Sequence, residues 1–563
     1  MPTPAANRRP PVPWGRLLLA ATASLLMALG SPPNGHTWMI WLGFIPLMVV
    51  LRGTPPHRRG LAFVYGLVGG VCTGLVGFPW IAELVVRFAE LPWVVGGTAL
   101  LLFSLWTAVP IGLWAVAVVS GPNRGWRGIV WPIAWWVALA DLWPHLFPYT
   151  LVIGFAEAPV WMQAAEFGGV AAVEAQVMAV GVLAADAIVG PRHDVPHARR
   201  WRSVRGALAL AVVLLSTGWG TWRLASVDAE LANARTVRVG IVQPNNALLD
   251  RNTDERMARL RSMSAAAQAE GAQLVVWPEA GAFPFSIRRP FVRDSRRPSY
   301  RILSGFSLPT IFGAGTYAAE EKWERNSVYH LAADGTVQAR YDKTVLVPIG
   351  EYVPVIDPNW VQELVPAVSH NIAGDGPARF VVDPAPTSHE PSPPSLLAGP
   401  LVCYEDIMPA VARATASQAG GIDLFVNVTI DTWFGETAEP WEHLALAQFR
   451  SVEHRIPMVR SVSAGVSASI DAGGRVVGHL PVAGPTVANP VPPMRLVTDV
   501  ALPRNTAHRP TVYARVGWLI PWLCQAWALW VVGRAVLARI RRKSYNQPQS
   551  SPDSGDEHKD EDP

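Results

Sequence analysis

Long apolar stretches alternate with short basic loops over the first 225 residues of this 563-residue chain, and one more apolar stretch lies near its end. A helix needs about 20 mostly apolar residues to cross a bilayer. The stretches that reach or approach this length predict eight membrane-spanning helices. They are Trp14–Gly30, Thr37–Leu51, Leu61–Trp80, Trp93–Val119, Ile129–Phe147, Met162–Val189, Ala207–Leu224 and Val512–Val536.

Residues 235–505 show a different pattern, in which short apolar runs alternate with polar and amphipathic segments. Val237–Gln243 and Gln273–Glu279 are predicted strands, with an amphipathic helix predicted over Asp254–Glu270 between them. Further predicted strands are Thr310–Ala314, Ser327–Ala332, Leu396–Val402, Asp423–Val428 and Met458–Val462. This alternation predicts an α/β sheet with helices on its faces, where chemistry gathers at the carboxyl ends of strands.

Composition supports this division of the chain. Half of the residues are hydrophobic, 25 are Trp, and only 16% are charged, which is typical of a membrane protein. We predict five parts: a cytoplasmic tail over 1–13, a seven-helix transmembrane domain over 14–225, an α/β domain over 235–505, a C-terminal transmembrane helix over 512–538, and a basic then acidic, disordered tail over 539–563.

Basic residues mark one side of the predicted membrane helices. They cluster before the first span, after the second, fourth and sixth, and after the last. Because Arg and Lys accumulate in cytoplasmic loops, both termini are predicted to be cytoplasmic and the α/β domain to lie outside the cytoplasm. These clusters also account for the net charge of +4, so no nucleic-acid partner is predicted. The clusters include Arg8, Arg9, Arg16, Arg52, Arg58, Arg59, Arg124, Arg127, Arg192, Arg199, Arg200, Arg202, Arg205, Arg539, Arg541, Arg542 and Lys543.

Cys403 stands directly after the predicted strand Leu396–Val402, so its thiol can face a pocket while the strand fixes its backbone. The other two cysteines, Cys72 and Cys524, lie in apolar stretches, and three cysteines do not form a disulfide framework. A lone cysteine is more often a small buried hydrophobe than a nucleophile. Residues elsewhere in the chain must therefore decide between these two interpretations.

Two motifs accompany Cys403. Glu279 ends the predicted strand at Trp277-Pro278-Glu279, where a carboxylate is either solvated or catalytic. Lys343 lies at the start of an apolar run, and it is one of only four lysines in a chain with 43 arginines. A partly buried lysine provides a compact, tunable point charge, which arginine does not. Retention of lysine at this position indicates a specific role.

A Glu, a Lys and a Cys in this order and context resemble the nitrilase superfamily of carbon–nitrogen hydrolases. With the membrane spans added, the chain resembles the bacterial apolipoprotein N-acyltransferase family over roughly residues 15–538. Departures from the family pattern are Val345, Ile349 and Ile430, none of them in the triad. The motifs are Val242-Gln243-Pro244-Asn245, Trp277-Pro278-Glu279, Asn326-Ser327, Lys343, the run from Val347 to Pro354, Cys403-Tyr404-Glu405 and Trp433-Phe434-Gly435.

The resemblance implies a polytopic α-helical membrane domain joined to an α/β nitrilase-like αββα sandwich, without a metal or cofactor. It implies that Glu279 is the proton acceptor, Cys403 the nucleophile and Lys343 an oxyanion-stabilising cation. The acyl donor would be a membrane phospholipid, and the acceptor the α-amine of the diacylglyceryl cysteine that begins an apolipoprotein. Both substrates would remain anchored in the lipid bilayer.

Other residues receive supporting roles by the same resemblance. Glu351, Tyr404 and Glu405 are expected to support the triad, and the two carboxylates to orient Lys343 and the amine. Candidate substrate-binding residues are Trp277, Trp433, Phe434, Gly435 and His443. For the two loop aromatics the alternative is packing on the domain, and for His443 it is a purely structural role.

Several ionisable residues lie at or near membrane depth. Such residues are functional candidates by default, although packing between helices is the alternative that we favour. Three more on the loop after the third span could line a lipid entrance. The first group is Asp141, Glu166, Glu174 and Asp186, and the second is Glu83, Arg87 and Glu90.

Three functions stay open on the sequence. The first is phospholipid-to-apolipoprotein N-acyl transfer, and the second is a membrane-tethered amidase or nitrilase that uses the same triad with water. The third is a non-catalytic lipid- or lipoprotein-binding relative. A complete triad argues against the third, and the membrane helices favour the first, because a hydrolase of small soluble amides needs no such platform.

Overall fold

The computed structural model describes residues 14–123, 125–190, 197–248, 250–348, 350–353, 370–386, 393–503 and 510–545. Several predictions fall outside these described residues. They are the tail over 1–13, the tail beyond 545, Arg124, Arg192, Ile349 and Pro354.

Helices occupy all eight stretches that were predicted to span the membrane, which confirms the predicted helical membrane domain. Five of the described helical segments are long and apolar enough to cross a membrane: Arg59–Gly77, Trp93–Ser120, Ala165–Val189, Ala198–Leu231 and Gly517–Arg541. The total of eight spans stays a prediction. The helices of this region are α1 Trp14–Gly30, α2 Ile40–Arg52, α3 Arg59–Gly77, α4 Trp80–Ala89, α5 Trp93–Ser120, α6 Arg127–Leu142, α7 Ala165–Val189 and α8 Ala198–Leu231.

Several helices differ from the prediction: α6 ends at Leu142 rather than Phe147, and Glu83 and Arg87, which were predicted on a loop, lie on α4. Helix α8 continues to Leu231, past the predicted end of its apolar stretch, because its polar last turns pair with the α/β domain. Helix α7 is interrupted at Gly168 and Gly169, where Tyr513 packs close to the backbone. The last span does not begin at Val512, because the chain there forms a separate short turn before the final helix.

The rest of the described chain forms thirteen strands and five helices. The strands are β1 Arg235–Gln243, β2 Leu274–Val276, β3 Ile287–Arg288, β4 Thr310–Tyr317, β5 Arg325–Leu331, β6 Val337–Asp342, β7 Phe380–Val382, β8 Leu396–Val402, β9 Leu424–Thr429, β10 Met458–Val462, β11 Ala468–Ile470, β12 Val476–His479 and β13 Met494–Leu502. The helices are α9 Thr253–Ala269, α10 Pro409–Ala416, α11 Glu439–His454, α12 Val512–Arg515 and α13 Ile520–Tyr545.

The strands form two mixed sheets that pack face to face. The first has the order β13-β1-β2-β4-β5-β6, with β3 paired to β4, and the second has the order β12-β11-β10-β9-β8-β7. Apolar side chains of both sheets, such as Ile241, Val276, Val402 and Val428, form one buried cluster between them. Helix α9 covers the outer face of the first sheet, and α10 and α11 cover the second. The predicted αββα sandwich is therefore confirmed.

Ionisable groups at membrane depth all have partners in the structure. Glu166 accepts hydrogen bonds from Arg223 of α8 and from Arg455 at the end of α11, and so joins the membrane helices to the sandwich. Asp186 lies 3.0 Å from Arg52. Glu174 accepts from Trp136 and Thr150, and Asp141 accepts from Gln525. These contacts account for the four carboxylates as packing and docking elements.

Candidate active site

Three predicted residues meet where strands of both sheets end. Glu279 follows β2 by three residues, whereas Lys343 follows β6 directly and Cys403 follows β8 directly. Lys343 and Glu279 are 1% and 5% exposed, so little water competes for their charges. The Lys343 N–H also donates to the Asn326 carbonyl at 2.8 Å, which anchors the lysine to β5.

The backbone at Cys403 is held in an unusual conformation. Its φ is +48°, in the left-handed region, and the residue opens a 3-10 turn over Cys403–Ile407. A non-glycine residue in this region costs free energy, and such residues cluster at active sites. The sharp change of direction after β8 turns the chain out of the sheet at the thiol.

Glu279 and Glu351 both contact the Lys343 amine and the side-chain amide of Asn326. Lys343 Nζ lies 2.8 Å from Glu351 Oε2 and 3.4 Å from Glu279 Oε1. The Asn326 side-chain amide donates to both carboxylates, at 2.6 Å to Glu279 and 2.9 Å to Glu351. Glu351 also accepts from the Val347 N–H at 2.9 Å. This set of contacts fixes the lysine on one side of the site.

Burial and the lysine charge move the pKa values of the two carboxyl groups apart. Burial raises the pKa of Glu279, and Lys343 only partly opposes this effect. Burial would also raise the pKa of Glu351, but the Lys343 charge and the hydrogen bonds outweigh it, so this pKa lies below its usual value. Two carboxyl groups with opposite shifts can take different roles, one as a permanent counter-ion and one as a proton acceptor.

The pKa values of the Cys403 thiol and the Lys343 amine are shifted as well. Burial opposes the charge of Lys343, but Glu351 and Glu279 more than compensate, so its pKa lies well above the usual value. Burial, with Glu279 next, raises the pKa of Cys403 well above its usual value, although Lys343 acts in the other direction. The resting site therefore combines a neutral thiol, a cation and a carboxylate whose basicity is increased, which is the arrangement needed for proton transfer during attack.

Glu405 connects the Cys403 turn to the loop that begins at Lys343. One carboxylate oxygen accepts from the Tyr341 hydroxyl at 2.7 Å and from the Thr344 N–H at 2.7 Å. The other accepts from the Val402 N–H at 2.9 Å. Glu405 is fully buried. It therefore acts on Lys343 through the neighbouring backbone, whereas Glu351 contacts the lysine amine directly.

Tyr404 connects the same turn to the membrane helices. Its hydroxyl donates to the Leu146 carbonyl at 2.6 Å, and its ring packs against Phe147 in the segment after α6. Burial raises the pKa of Tyr404 to about 12, so the hydroxyl stays protonated and can donate. The Cys403 turn is thus attached to both the membrane helices and the sandwich.

The aromatic loop after β9 also meets the membrane helices. Phe434 packs edge-to-face on Trp80 of α4, with 5.3 Å between the ring centroids. Gly435 has a φ of +61°, and a Cβ there would meet the Arg87 guanidinium. Arg87 itself lies 3.6 Å from Glu83. Trp433 is partly buried on the same loop. Substrate contact by these loop residues stays a prediction.

Trp277 requires a correction. Its ring is fully buried against Phe312 in the cluster beneath α9, and its N–H donates to the Ser264 hydroxyl at 2.8 Å. An indole enclosed between a sheet and a helix does not face a ligand. We therefore assign Trp277 to the core and remove it from the candidate substrate-binding residues.

His443 lies inside a buried network of charged groups. Its Nε2 is 2.9 Å from Asp406 and its Nδ1 is 3.2 Å from Asp431. Because both ring nitrogens face carboxylates, we favour the structural alternative over contact with a lipid head group. Asp431, Glu439 and His443 have the spacing of a metal site. However, the chain's own Arg460 already pairs with Asp431 at 2.9 Å.

Sequence analysis gave no role to several residues of the site. Asn326 belongs to a recognised motif, but only the structure shows that it bridges Glu279 and Glu351. Arg460 is a charge inside the apolar strand β10, and a charge at such a position signals a buried ion pair. Asp406 and Asp431 follow β8 and β9. A carboxylate soon after a strand was the sequence feature that could have identified them as residues of the site.

Comparisons with known proteins agree over both parts of the chain. A family model described as carbon-nitrogen hydrolase matches residues 238–488, and one described as apolipoprotein N-acyltransferase N-terminal domain matches residues 23–183. The chain is 29% identical to an apolipoprotein N-acyltransferase of Geobacter metallireducens over 95% of this chain and 97% of that one. It is 31% identical to an apolipoprotein N-acyltransferase of Allorhizobium ampelinum over 83% of this chain and 88% of that one. The crystal structure of Saccharomyces cerevisiae Nit3, of the nitrilase superfamily, matches 49% of this chain and 93% of that one, with 14% identity and a TM-score of 0.35.

Proposed function

The chain belongs to the apolipoprotein N-acyltransferase family, and on this premise we propose that Glu279, Lys343 and Cys403 catalyse its acyl transfer through a covalent intermediate. The donor is a membrane phospholipid, and the acceptor is the α-amine of the diacylglyceryl cysteine that begins an apolipoprotein. The observation that carries the proposal is that the buried pair Glu279 and Lys343 and the partly buried Cys403 come together at strand ends and interact electrostatically.

In the first half-reaction, the Cys403 sulfur attacks the ester carbonyl carbon of the phospholipid while Glu279 accepts the thiol proton. Lys343 stabilises the negative charge that develops on the carbonyl oxygen. When the tetrahedral intermediate collapses, the ester C–O bond breaks and Glu279 returns the proton to the lysophospholipid oxygen. Cys403 is left as a thioester.

In the second half-reaction, the neutral α-amine of the lipoprotein cysteine attacks the thioester carbonyl carbon. Glu279 accepts a proton from the amine, the C–S bond breaks, and the proton passes to the Cys403 sulfur. The enzyme thus returns to its initial state, and the order of events is ping-pong. Glu351 keeps Lys343 charged through both halves, because its carboxylate lies 2.8 Å from the amine.

The architecture suits substrates that never leave the membrane. Extracting an acyl chain costs about 0.8 kcal/mol per CH₂ group, which a soluble enzyme would have to supply. Tyr404 and Phe434 contact residues of the helical domain, so the site is close to the lipid phase. The hydrolytic alternative, in which water attacks the thioester, would not need a membrane domain.

We propose that this multi-pass membrane protein is built of a transmembrane domain over 14–225, a catalytic domain over 235–505 and a last span over 512–538. The catalytic domain lies on the extracytoplasmic side of the bacterial inner membrane, and both termini are cytoplasmic. The basic loops described above support this orientation.

Reporter fusions test the orientation. A reporter that is active only in the cytoplasm should be active when fused after Arg205 and silent when fused within 235–505. A fusion after Arg52 serves as a control for a second cytoplasmic loop. The opposite pattern would contradict the orientation without affecting the proposed chemistry.

Mass spectrometry of lipoprotein N-terminal peptides tests the function. Cells that depend on this protein should carry a third acyl chain on the amine of the N-terminal cysteine. Depletion of the protein should leave the diacylglyceryl form, with a free amine. Unchanged triacylation after depletion would contradict the proposal.

A further inference from the structure

A buried cluster of four charged side chains, with Glu439 at its edge 3.7 Å from His443, lies behind Cys403 and has no part in the proposed mechanism. Asp406, Asp431, His443 and Arg460, which we call the Arg460 cluster, are between 0% and 6% exposed. Arg460 donates from one terminal nitrogen to Asp406 and from the other to Asp431. His443 bridges the same two carboxylates from the opposite side. Each aspartate therefore binds both cations.

The hydrogen-bond geometry favours the charged form of His443. Both ring nitrogens face carboxylate oxygens, and a neutral imidazole has only one N–H to donate. Burial and Arg460 disfavour the charge, but Asp406 and Asp431 outweigh them and raise the pKa of His443 to about 10. The cluster thus contains two cations and two anions at neutral pH.

Members of the Arg460 cluster come from four separate segments. Asp406 belongs to the turn that Cys403 opens, and Asp431 begins the loop of Trp433 to Gly435. Arg460 lies on β10 and His443 on α11, which are both rigid elements. Asn427 provides a further connection: its amide oxygen lies 3.4 Å from an Arg460 nitrogen, and its amide nitrogen lies 3.5 Å from the Cys403 carbonyl oxygen.

Two features indicate that this cluster does more than stabilise the fold. A buried ionic cluster is weak evidence for stability, because apolar residues of the same volume often stabilise equally well. The φ of +48° at Cys403 must also be imposed by its surroundings, since left-handed backbone is unfavourable for a non-glycine residue. Glu405 fixes one side of the nucleophile turn, and Asp406 fixes the other.

We propose that the Arg460 cluster is a positioning unit, which holds the Cys403 turn and the 431–435 loop in a single arrangement relative to Lys343 and Glu279. This role rests on the proposed function, because the reaction that the cluster supports is the acyl transfer through Cys403. Its residues touch no substrate, and they act through the backbone of the nucleophile and of the aromatic loop.

Arg460→Lys is the most direct test, because lysine keeps the charge but lacks the planar fork that reaches two carboxylates. The full-length protein in detergent is assayed for two rates per folded molecule: alkylation of Cys403 by iodoacetamide, and acylation of Cys403 by phosphatidylethanolamine. Both rates should fall by about 10²-fold, the typical effect of a displacement of about 1 Å at a reacting group. Cys72 and Cys524 in the same molecules are internal references for alkylation.

Arg450→Lys is the matched control. Arg450 is another buried arginine of the sandwich, and it pairs at 2.9 Å with Glu453 of its own helix rather than with a carboxylate of the Cys403 turn or the 431–435 loop. Both Cys403 rates should stay within about twofold of wild type in this variant, even if it loses as much thermal stability as Arg460→Lys. Equal losses of rate in the two variants would reduce the cluster to a structural role.

Asp406→Asn provides a second test that preserves side-chain volume, in case Arg460→Lys does not fold. It should slow both Cys403 rates, and combining it with Arg460→Lys should add little, because both changes break the same connection. Normal Cys403 rates in folded Asp406→Asn would overturn the proposal. If phospholipid never acylates the wild type but alkylation still depends on Arg460, the proposed function fails and the positioning role stands.

Discussion

Cys403→Ser should lower acyl transfer from phospholipid to a diacylglyceryl peptide by on the order of 10⁴-fold, the scale expected when a covalent nucleophile is disabled. A serine hydroxyl is much harder to deprotonate than a thiol, and a carboxylate such as Glu279 is a weak base. The change replaces the sulfur atom by a smaller oxygen atom. It adds no volume, so the protein should still fold. The measurement is the amount of N-acylated peptide formed over time, by mass spectrometry.

Cys72→Ser and Cys524→Ser are the controls for this experiment. These cysteines are partly buried and lie on the membrane helices α3 and α13, whereas the triad residues follow strands of the sandwich. Each variant should transfer acyl groups at a rate close to wild type. Transfer by Cys403→Ser within about tenfold of wild type would mean that no obligatory thioester forms at this position.

Lys343→Arg should reduce transfer by about 10² to 10³-fold, the usual cost of removing one oxyanion-stabilising donor. Arginine keeps the positive charge, but its flat guanidinium is larger than the ammonium that fits between Glu279 and Glu351, at 3.4 and 2.8 Å. The charge would therefore move away from the developing oxyanion. The relevant measurement is the single-turnover rate of Cys403 acylation.

Lys322→Arg is the matched control for Lys343. Lys322 is exposed and lies over the Trp323 ring, 4.7 Å from its centroid. Arginine packs on aromatic rings at least as well as lysine does, so this variant should be fully active. A near-normal acylation rate in folded Lys343→Arg would remove Lys343 from the catalytic residues.

The strands and spans were predictable where one local pattern decides the structure. Leu396–Val402 is a strand with the predicted bounds, because a short apolar run after a proline-rich segment favours a buried strand, even with Gly399 and Pro400 inside it. The two-residue strand Ile287–Arg288 was not predicted, since so short a segment has no period of its own. This strand forms by pairing with β4, and the sequence gives no indication of that pairing.

The positions of Cys403 and Glu279 at strand ends also followed from the sequence, but the strand Val337–Asp342 that ends at Lys343 was not predicted, and neither were the surroundings of the three residues. Glu405 binds the backbone of Thr344, and Asn326 joins Glu279 to Glu351. These partners are separated by tens of residues, and no periodicity relates them. Trp277 was misassigned for a related reason: its motif marks a strand end, but does not tell which face of the sheet the ring occupies.

The contacts between the membrane helices and the sandwich were the least predictable from the sequence. Trp80 of α4 donates to Glu442 of α11 at 3.0 Å, across 362 residues of sequence. Burial raises the pKa of Glu442 to about 8. A pattern of apolar and polar residues identifies each helix separately, but the partner of an individual buried polar group depends on how whole elements dock.

The mass of the active-site peptide tests the central claim most directly. Wild-type enzyme purified with phospholipid and without a lipoprotein acceptor should carry an acyl group on Cys403, because the site is built for an amine and water is a poor substitute. Neutral hydroxylamine should remove this group, as expected of a thioester, and adding a diacylglyceryl peptide should transfer it to the peptide amine. An unmodified Cys403 under these conditions, or an acyl group on Cys72 or Cys524 instead, would contradict covalent acyl transfer through Cys403.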